Sequence, residues 1–238
     1  MNKALAPIEE SRKTLAAQVV ERIRQAILDQ SLPPGSRINQ YKLAEVLEVS
    51  LVPVREALKA LEAEGLVTIT PRRGAFVTEI SFGDLDELYY ARKVLESQTA
   101  VIACHHLTAE DYTALNTLMS DMKASTDAGD IRLFMQQNRE FHMRIYRAAN
   151  NRYLLQTIEK LWEHSELYRY RYMFVLRNAD IVHQEHHDIF DACRAQDEAR
   201  VSQLVQDHIW HTRNGIYDQL STELPQAPAG TPNGKQRA

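Results

Sequence analysis

The chain has 238 residues, 44% of them hydrophobic and 25% charged, with 8 Gly, 8 Pro and 2 Cys. These proportions suit one large or two modest globular domains and exclude wholesale disorder, a turn-rich all-β fold and a disulfide framework or four-sulfur zinc site. The net charge of −4 does not advertise a nucleic-acid binder, but the halves differ: residues 1–80 carry +1, the remainder carries −5, and all nine histidines fall between His105 and His211.

The first ten residues lack the apolar stretch of a signal peptide. No apolar run approaches the ~20 residues that a membrane span needs. A soluble protein of the reducing cytoplasm, without membrane contact, is the expectation. Leu15, Val19, Ile23, Ala26 and Ile27 then recur at helical spacing, and Pro33-Pro34-Gly35 stops that helix. A short helix follows over Gln40–Leu47, with Leu43, Val46 and Leu47 predicted to face inward. After the turn Glu48-Val49-Ser50 comes a third helix, with Ser50 as its predicted cap, Pro53 in its first turn and Gly65 at its end. Leu66–Thr70 and Ala75–Glu79 read as strands around Pro71-Arg72-Arg73-Gly74. The order is that of a winged helix-turn-helix, expected over residues 10–80.

From Ser81, whose spacing to Asp84 resembles a capping box, the chain reads as helix throughout. Six helices are predicted near 84–105, 108–127, 131–149, 152–174, 180–195 and 198–219. They are broken by Thr108, Gly129-Asp130, Asn150-Asn151, Asn178–Asp180 and Gln196-Asp197. The fold class is therefore mainly α: a winged helix-turn-helix plus an all-α antiparallel bundle over residues 81–222. The polar, Pro/Gly-rich residues 223–238 read as a disordered tail.

A helix that enters a major groove must bury one stripe and offer polar groups on another. In the third helix Val54, Leu58 and Leu61 form the buried stripe, and Leu51, Arg55, Lys59 and Glu62 the outer one. Arg55 and Lys59 suit a guanine edge or a phosphate. Arg72 and Arg73 at the hairpin tip suit phosphates or a narrow minor groove. Ser36, Arg37, Tyr41 and Lys42 stand where contacts to the DNA backbone are common. Any one of these cations has a plain solvated reading; the ordered set favours DNA.

In the bundle, Asn138 and His142 are four apart on one face, His186 shares a stripe with Val182, Ile189 and Cys193, and His208 lies on the apolar face of the last helix. Three inward imidazoles and one amide oxygen suit Zn²⁺, Ni²⁺ or another divalent ion. Three hydrogen-bonded core histidines fit the same pattern, so the residues alone leave both readings open.

The run Leu32-Pro33-Pro34-Gly35-Ser36-Arg37, Lys42-Leu43-Ala44-Glu45, Pro53-Val54-Arg55-Glu56-Ala57-Leu58 and Arg73-Gly74-Ala75-Phe76-Val77 resembles the GntR family of bacterial transcription regulators. The resemblance implies operator binding by a homodimer, with Arg55 and the Arg73-Gly74 wing on DNA. The full set expected at DNA is Arg37, Tyr41, Ser50, Leu51, Val52, Arg55, Lys59, Arg72, Arg73 and Gly74. The family usually has Arg-Thr where this chain has Leu51-Val52. That departure implies either an unusual operator, read by apolar contact with a thymine methyl, or weaker specific binding.

Arg139-Glu140-Phe141-His142, Ala148-Ala149-Asn150-Asn151, Glu185-His186 and His208 resemble the FCD, FadR-like branch of that family. The resemblance implies a divalent metal on Asn138, His142, His186 and His208, with Asn138 in place of the usual Asp. It also implies a small carboxylate effector, held by Arg92 with help from Tyr89 or Tyr90. Arg139, turned about 100° from Asn138, is the weaker candidate. For Arg92 a plain pair with Glu96 at i+4 competes with that role. The aromatic-basic stretch Leu167–Phe174 reads as bundle packing or cavity lining. The function that follows is a regulator, a repressor released by its effector, acting through a hinge at Glu79-Ile80-Ser81. The alternatives are a sensor whose signal is the ion itself and, less favoured, a metal-dependent hydrolase using Glu140 or Glu185 as base.

Overall fold

The computed structural model describes residues 14–79, 81–173 and 179–223, the side chains at 167, 170–173 and 223 excepted. Glu223, expected to open the tail, ends the last helix; residues 224–238 of the expected tail, residue 80 of the expected hinge and the segment 174–178 lie outside the described residues. The chain divides into two compact units, Met1–Glu79 and Ile80–Ala238.

In the first unit, α1 (Leu15–Leu28) is capped by Thr14 and buries Val19, Ile23, Ile27 and Leu28, while Leu15 at its frayed start stays exposed. It packs on α3 (Leu51–Ala63). Between them come β1 (Arg37–Ile38) and α2 (Gln40–Val46). β2 (Val67–Thr70) and β3 (Gly74–Val77) form the wing hairpin, and β1 adds to it in the antiparallel order β1-β3-β2. Two residues are too few to show a period-two pattern, so β1 has no signature in the sequence. Its pairing of Arg37 with Phe76 sets the Arg37 guanidinium beside the wing.

Two expectations are corrected here. On α2 the residue buried is Ala44, and Val46 is 68% exposed. Leu43 and Leu47 share a stripe with Ala44, and Val46 lies about 100° off its centre. At α3, Ser50 occupies the N-cap position but makes no side-chain capping bond. An N-cap hydroxyl bonds the N–H of the second or third helical residue; the third is Pro53, which has none.

The second unit is built of α4 (Phe82–Cys104), α5 (Ala109–Asp127), α6 (Ile131–Ala148), α7 (Arg152–Met173), α8 (Ala179–Ala195) and α9 (Glu198–Glu223). Each break falls at a local signal. Thr108 and Asp111 form a full capping box, Asp130 caps α6, Asn151 caps α7, and Gly129 takes φ +70. α4 packs against α6, α7, α8 and α9. Its buried set includes Arg92, Glu96, Ser97 and Thr99, so its inward face is partly polar.

At Ser81 only half of the expected box forms. Its hydroxyl accepts from the Asp84 N–H at 3.1 Å. The Ser81 N–H donates instead to the Tyr168 hydroxyl at 3.3 Å, and that hydroxyl donates to Asp84 Oδ2 at 2.7 Å. The Tyr168 ring, buried in α7, thus replaces the reciprocal half of the cap and holds the start of α4. No described helix is long and apolar enough to cross a membrane.

The Asp111 carboxylate accepts from Thr108 N and Oγ1 at 3.0 and 2.9 Å and from Arg144 Nε at 3.0 Å. These contacts, led by the Thr108 backbone N–H, hold its pKa below the usual 3.8. A folded-state value below the unfolded one gives stability that is present above the unfolded value and lost as pH falls through the folded one. Urea midpoints measured from neutral pH down to about pH 2 should therefore show a shallower acid decline for Asp111→Asn than for wild type.

Candidate functional site

Each unit presents one candidate site. In the first, α3 is split cleanly. Pro53, Val54, Ala57, Leu58 and Leu61 are buried, while Val52, Arg55, Glu56, Lys59 and Glu62 are exposed. The Arg55 Nε–H donates to Gln40 Oε1 at 3.3 Å. Gln40 is the first residue of α2, so this bond ties Arg55 to α2 while the side chain stays exposed. Tyr41 is 70% and Val52 62% exposed, Leu51 is half-buried, and Ser50 and Arg37 are exposed. At the wing tip Arg72 takes φ +63 and Gly74 φ +106, and the Arg73 guanidinium lies 6.0 Å from the Phe76 ring. The structure thus brings all ten residues expected at DNA to the surface of α2, α3 and the wing, Leu51 and Gly74 only in part.

In the second unit His142 of α6, His186 of α8 and His208 of α9 converge. Their ring centroids are 4.9, 4.9 and 5.2 Å apart, and one nitrogen from each lies within 4.8 Å of the other two. All three are buried. His186 Nδ1 lies 2.7 Å from the Val182 carbonyl. A carbonyl only accepts, so that nitrogen carries the proton and Nε2 presents a lone pair. His208 Nδ1 lies 2.8 Å from Glu185 Oε2, which sets the same tautomer. His142 Nε2 sits 3.3 Å from His186 Nε2, and His142 Nδ1 is buried without a partner. Burial, reinforced by the charge of His208, pushes the pKa values of His142 and His186 well below 6.5.

Neutral imidazoles with free nitrogens are what a divalent metal requires. Metal–nitrogen bonds of about 2.0–2.1 Å place tetrahedral neighbours about 3.3 Å apart, the spacing of the two Nε2 atoms. The donor set therefore fits a metal. Asn138 is buried and lines the cavity onto which His208 opens.

That cavity, about 30 Å³, is bordered by Arg92, Asn138, Trp162, Arg169, His208 and Thr212 among others. Arg92 donates to Glu96 Oε1 at 2.7 Å and to Ser165 Oγ at 3.3 Å, so the i+4 pair forms and the arginine also reaches the cavity. Glu96 accepts a second bond, from the Tyr146 hydroxyl at 2.8 Å. Tyr89 stands behind Arg92, its ring 4.9 Å from the guanidinium and its hydroxyl buried without a hydrogen bond. Tyr90 is 60% exposed, and Arg139 does not border the cavity.

Sequence reasoning placed Arg169 in a stretch read as bundle packing or cavity lining but did not single it out; it borders the cavity. It is buried, its guanidinium lies 4.1 Å from the Trp162 ring, and no described carboxylate pairs with it. Burial and the neighbouring charge of Arg92 push its pKa down to about 10. A signal was present: Ile158, Trp162, Ser165 and Arg169 recur at i, i+4, i+7 and i+11, which puts an arginine on an apolar stripe. The two suggested general bases are placed elsewhere. Glu140 binds Arg147 at the surface at 2.6 Å, and Glu185 holds the far nitrogens of His208 and His211.

Comparison with known proteins gives two family matches. Residues 15–77 match the family described as bacterial regulatory proteins, gntR family, and residues 87–211 match the FCD domain. The HTH-type transcriptional regulator McbR of Escherichia coli (strain K12) is 32% identical over 149 residues, 63% of this chain and 67% of that protein. The Nta operon transcriptional regulator of Aminobacter aminovorans is 30% identical over 178 residues, 74% and 82% of the two chains. The solved structure of E. coli McbR/YncC superposes with a TM-score of 0.73 at 26% identity, covering 88% of this chain and all (100%) of that one.

Because His142 and His186 are held neutral in the folded protein, the unfolded chain takes up more protons below pH 6.5. Metal-free protein should lose stability as pH falls below that value, by up to about 1.4 kcal/mol per pH unit for each of the two. Chemical denaturation between about pH 7.5 and 5 should show this slope in wild type, and replacing both residues by Leu should flatten it.

Proposed function

The chain belongs to the GntR family of bacterial regulatory proteins and carries an FCD domain, and from that premise we propose that it is a cytoplasmic repressor released by a small organic acid bound beside a metal ion. The family and these relatives are transcription regulators, not enzymes.

On DNA, α3 enters the major groove as part of a homodimer whose two reading helices stand about one turn, ~34 Å, apart. The exposed side chain of Arg55 takes a guanine O6/N7 edge, and Lys59 takes a guanine or a phosphate. Val52 and Leu51 offer methyl groups to a thymine. Arg37, Tyr41 and Ser50 hold the phosphate backbone, and the Arg72-Arg73-Gly74 tip follows the adjacent minor groove or its phosphates.

In the helical unit, His142, His186 and His208 would hold Zn²⁺ or Ni²⁺, with Asn138 on the cavity that His208 borders. When bound, the ion supplies positive charge that attracts an anion. Asn138 adds no negative charge, so the site would hold an ion less tightly than with an Asp there and would favour an anionic ligand beside it. The observation that carries the effector reading is Arg169, a buried guanidinium that borders the cavity and that no described carboxylate pairs with. A ligand carboxylate satisfies it, and Arg92 stands on the other flank. Coupling to DNA has support in α7. Arg169 borders the cavity while its neighbour Tyr168 bonds Ser81 and Asp84 at the start of α4. A coupling of ~1–3 kcal/mol changes operator affinity roughly 5–150-fold.

The small size of the cavity favours a second reading, in which the ion alone is the signal. Operator affinity, titrated first with Zn²⁺ or Ni²⁺ and then with the metal plus acetate, lactate or citrate, separates the two. If the acid is needed for release, Arg169→Met should abolish that response and spare metal binding. On operator DNA selected by the wild-type protein, Arg55→Ala should weaken binding by about 1–3 kcal/mol and leave metal content unchanged. Undiminished binding by that variant would remove α3 as the reading helix.

A further inference from the structure

Glu185 is one residue before His186 on α8, yet its carboxylate serves α9. Oε2 accepts from His208 Nδ1 at 2.8 Å, and Oε1 accepts from His211 Nδ1, also at 2.8 Å. Both oxygens are thus fixed, one by a buried imidazole and one by a half-buried imidazole a single helical turn further along α9. Among the described residues, Glu185 is the one carboxylate hydrogen-bonded to a member of the histidine triad.

The charges around the triad give this contact its weight. Glu96, 0% exposed, is already engaged by Arg92 and Tyr146. Arg169 is a buried cation that no described carboxylate pairs with, Asn138 is neutral, and imidazoles that ligate a metal do so as neutral donors. A divalent ion placed among them adds two positive charges to that of Arg169. Charge in a low-dielectric interior needs a counter-charge close by. A carboxylate that accepts the second N–H of a ligating imidazole fixes its tautomer and raises its basicity.

We propose that Glu185 is the positioning residue and counter-charge of the metal site, acting on the ion through His208, with His211 clamping its second oxygen. This rests on the metal reading of the triad given above. Glu185 holds the His208 Nε2 lone pair toward the triad and provides, from outside the ligand shell, the negative charge that Asn138 does not.

The test uses the full chain, purified without a metal-affinity tag and stripped with a chelator, with Zn²⁺ as probe. Affinity is read by competition with a chromophoric chelator, and the fold of the metal-free protein by its urea midpoint. Glu185→Gln should lower Zn²⁺ affinity about 10–100-fold and leave the metal-free midpoint in place. Adding Asn138→Asp to that variant should recover affinity, and by a larger factor than the same change gives in wild type, because it restores a missing charge. Equal Zn²⁺ affinity in Glu185→Gln and wild type overturns the role of Glu185 and leaves the metal reading standing. A lowered metal-free midpoint with no recovery by Asn138→Asp also overturns it, and reduces Glu185 to a tie between α8 and α9. Failure of the wild type to bind Zn²⁺, Ni²⁺ or Co²⁺ overturns the metal reading and this proposal with it.

Discussion

The proposed site of the second unit depends on a buried guanidinium, enclosed in a helical bundle, that no described carboxylate pairs with. Two arginines, Arg92 and Arg169, lean on the Trp162 ring at 4.5 and 4.1 Å, and Glu96, the one fully buried glutamate among the described residues, pairs with Arg92. The indole face softens the cost of burying two cations but neutralises neither. Among the described buried residues, this leaves the charge of Arg169 without a carboxylate partner. It lies beside His142 and His186, whose pKa values burial pushes well below 6.5. Such an interior resists further protonation and attracts anions. It accepts a cation only where lone pairs converge.

The same logic explains how the polar residues of α4 can be inside at all. Arg92, Glu96, Ser97 and Thr99 are buried, and each has a partner: Glu96 for Arg92, Arg92 and Tyr146 for Glu96, and backbone carbonyls for the two hydroxyls. Buried polar groups of this kind cost little once satisfied and a great deal when one member is removed. The atoms left without partners, His142 Nδ1, Tyr89 Oη and Trp162 Nε1, sit in the same neighbourhood as Arg169. Their clustering here, among the described residues, agrees with the ligand site proposed above.

The first unit solves a different problem. A reading helix must be anchored by one stripe and expose another, and α3 does so without help from its cap residue. Pro53 removes the donor that Ser50 would otherwise bind, so the helix start relies on Val54 and Pro53 packed into the unit. That leaves the Ser50 hydroxyl and the Val52 side chain at the surface, next to an arginine bonded to Gln40. Leu51 and Val52 make this surface more apolar than the family's usual Arg-Thr pair, a difference confined to one end of the helix.

Much of this was legible in the amino-acid order. Helix breaks at Thr108, Gly129-Asp130, Asn150-Asn151 and Gln196-Asp197 follow from capping and left-handed turns, which involve residues no more than a few positions apart. The mainly α fold class, the wing and the outward stripe of α3 followed from the same short-range periodicity. So did the inward pointing of His142, His186 and His208, each judged against its own helix. What the sequence did not determine lies across helices. Whether three inward histidines meet, whether Tyr168 or Asp84 completes the Ser81 cap, and whether Arg169 finds a carboxylate all depend on how the ridges of one helix settle into the grooves of another. Periodicity fixes the direction of a side chain around its own axis. Only the crossing of the axes in the packed bundle fixes which side chains it will meet there.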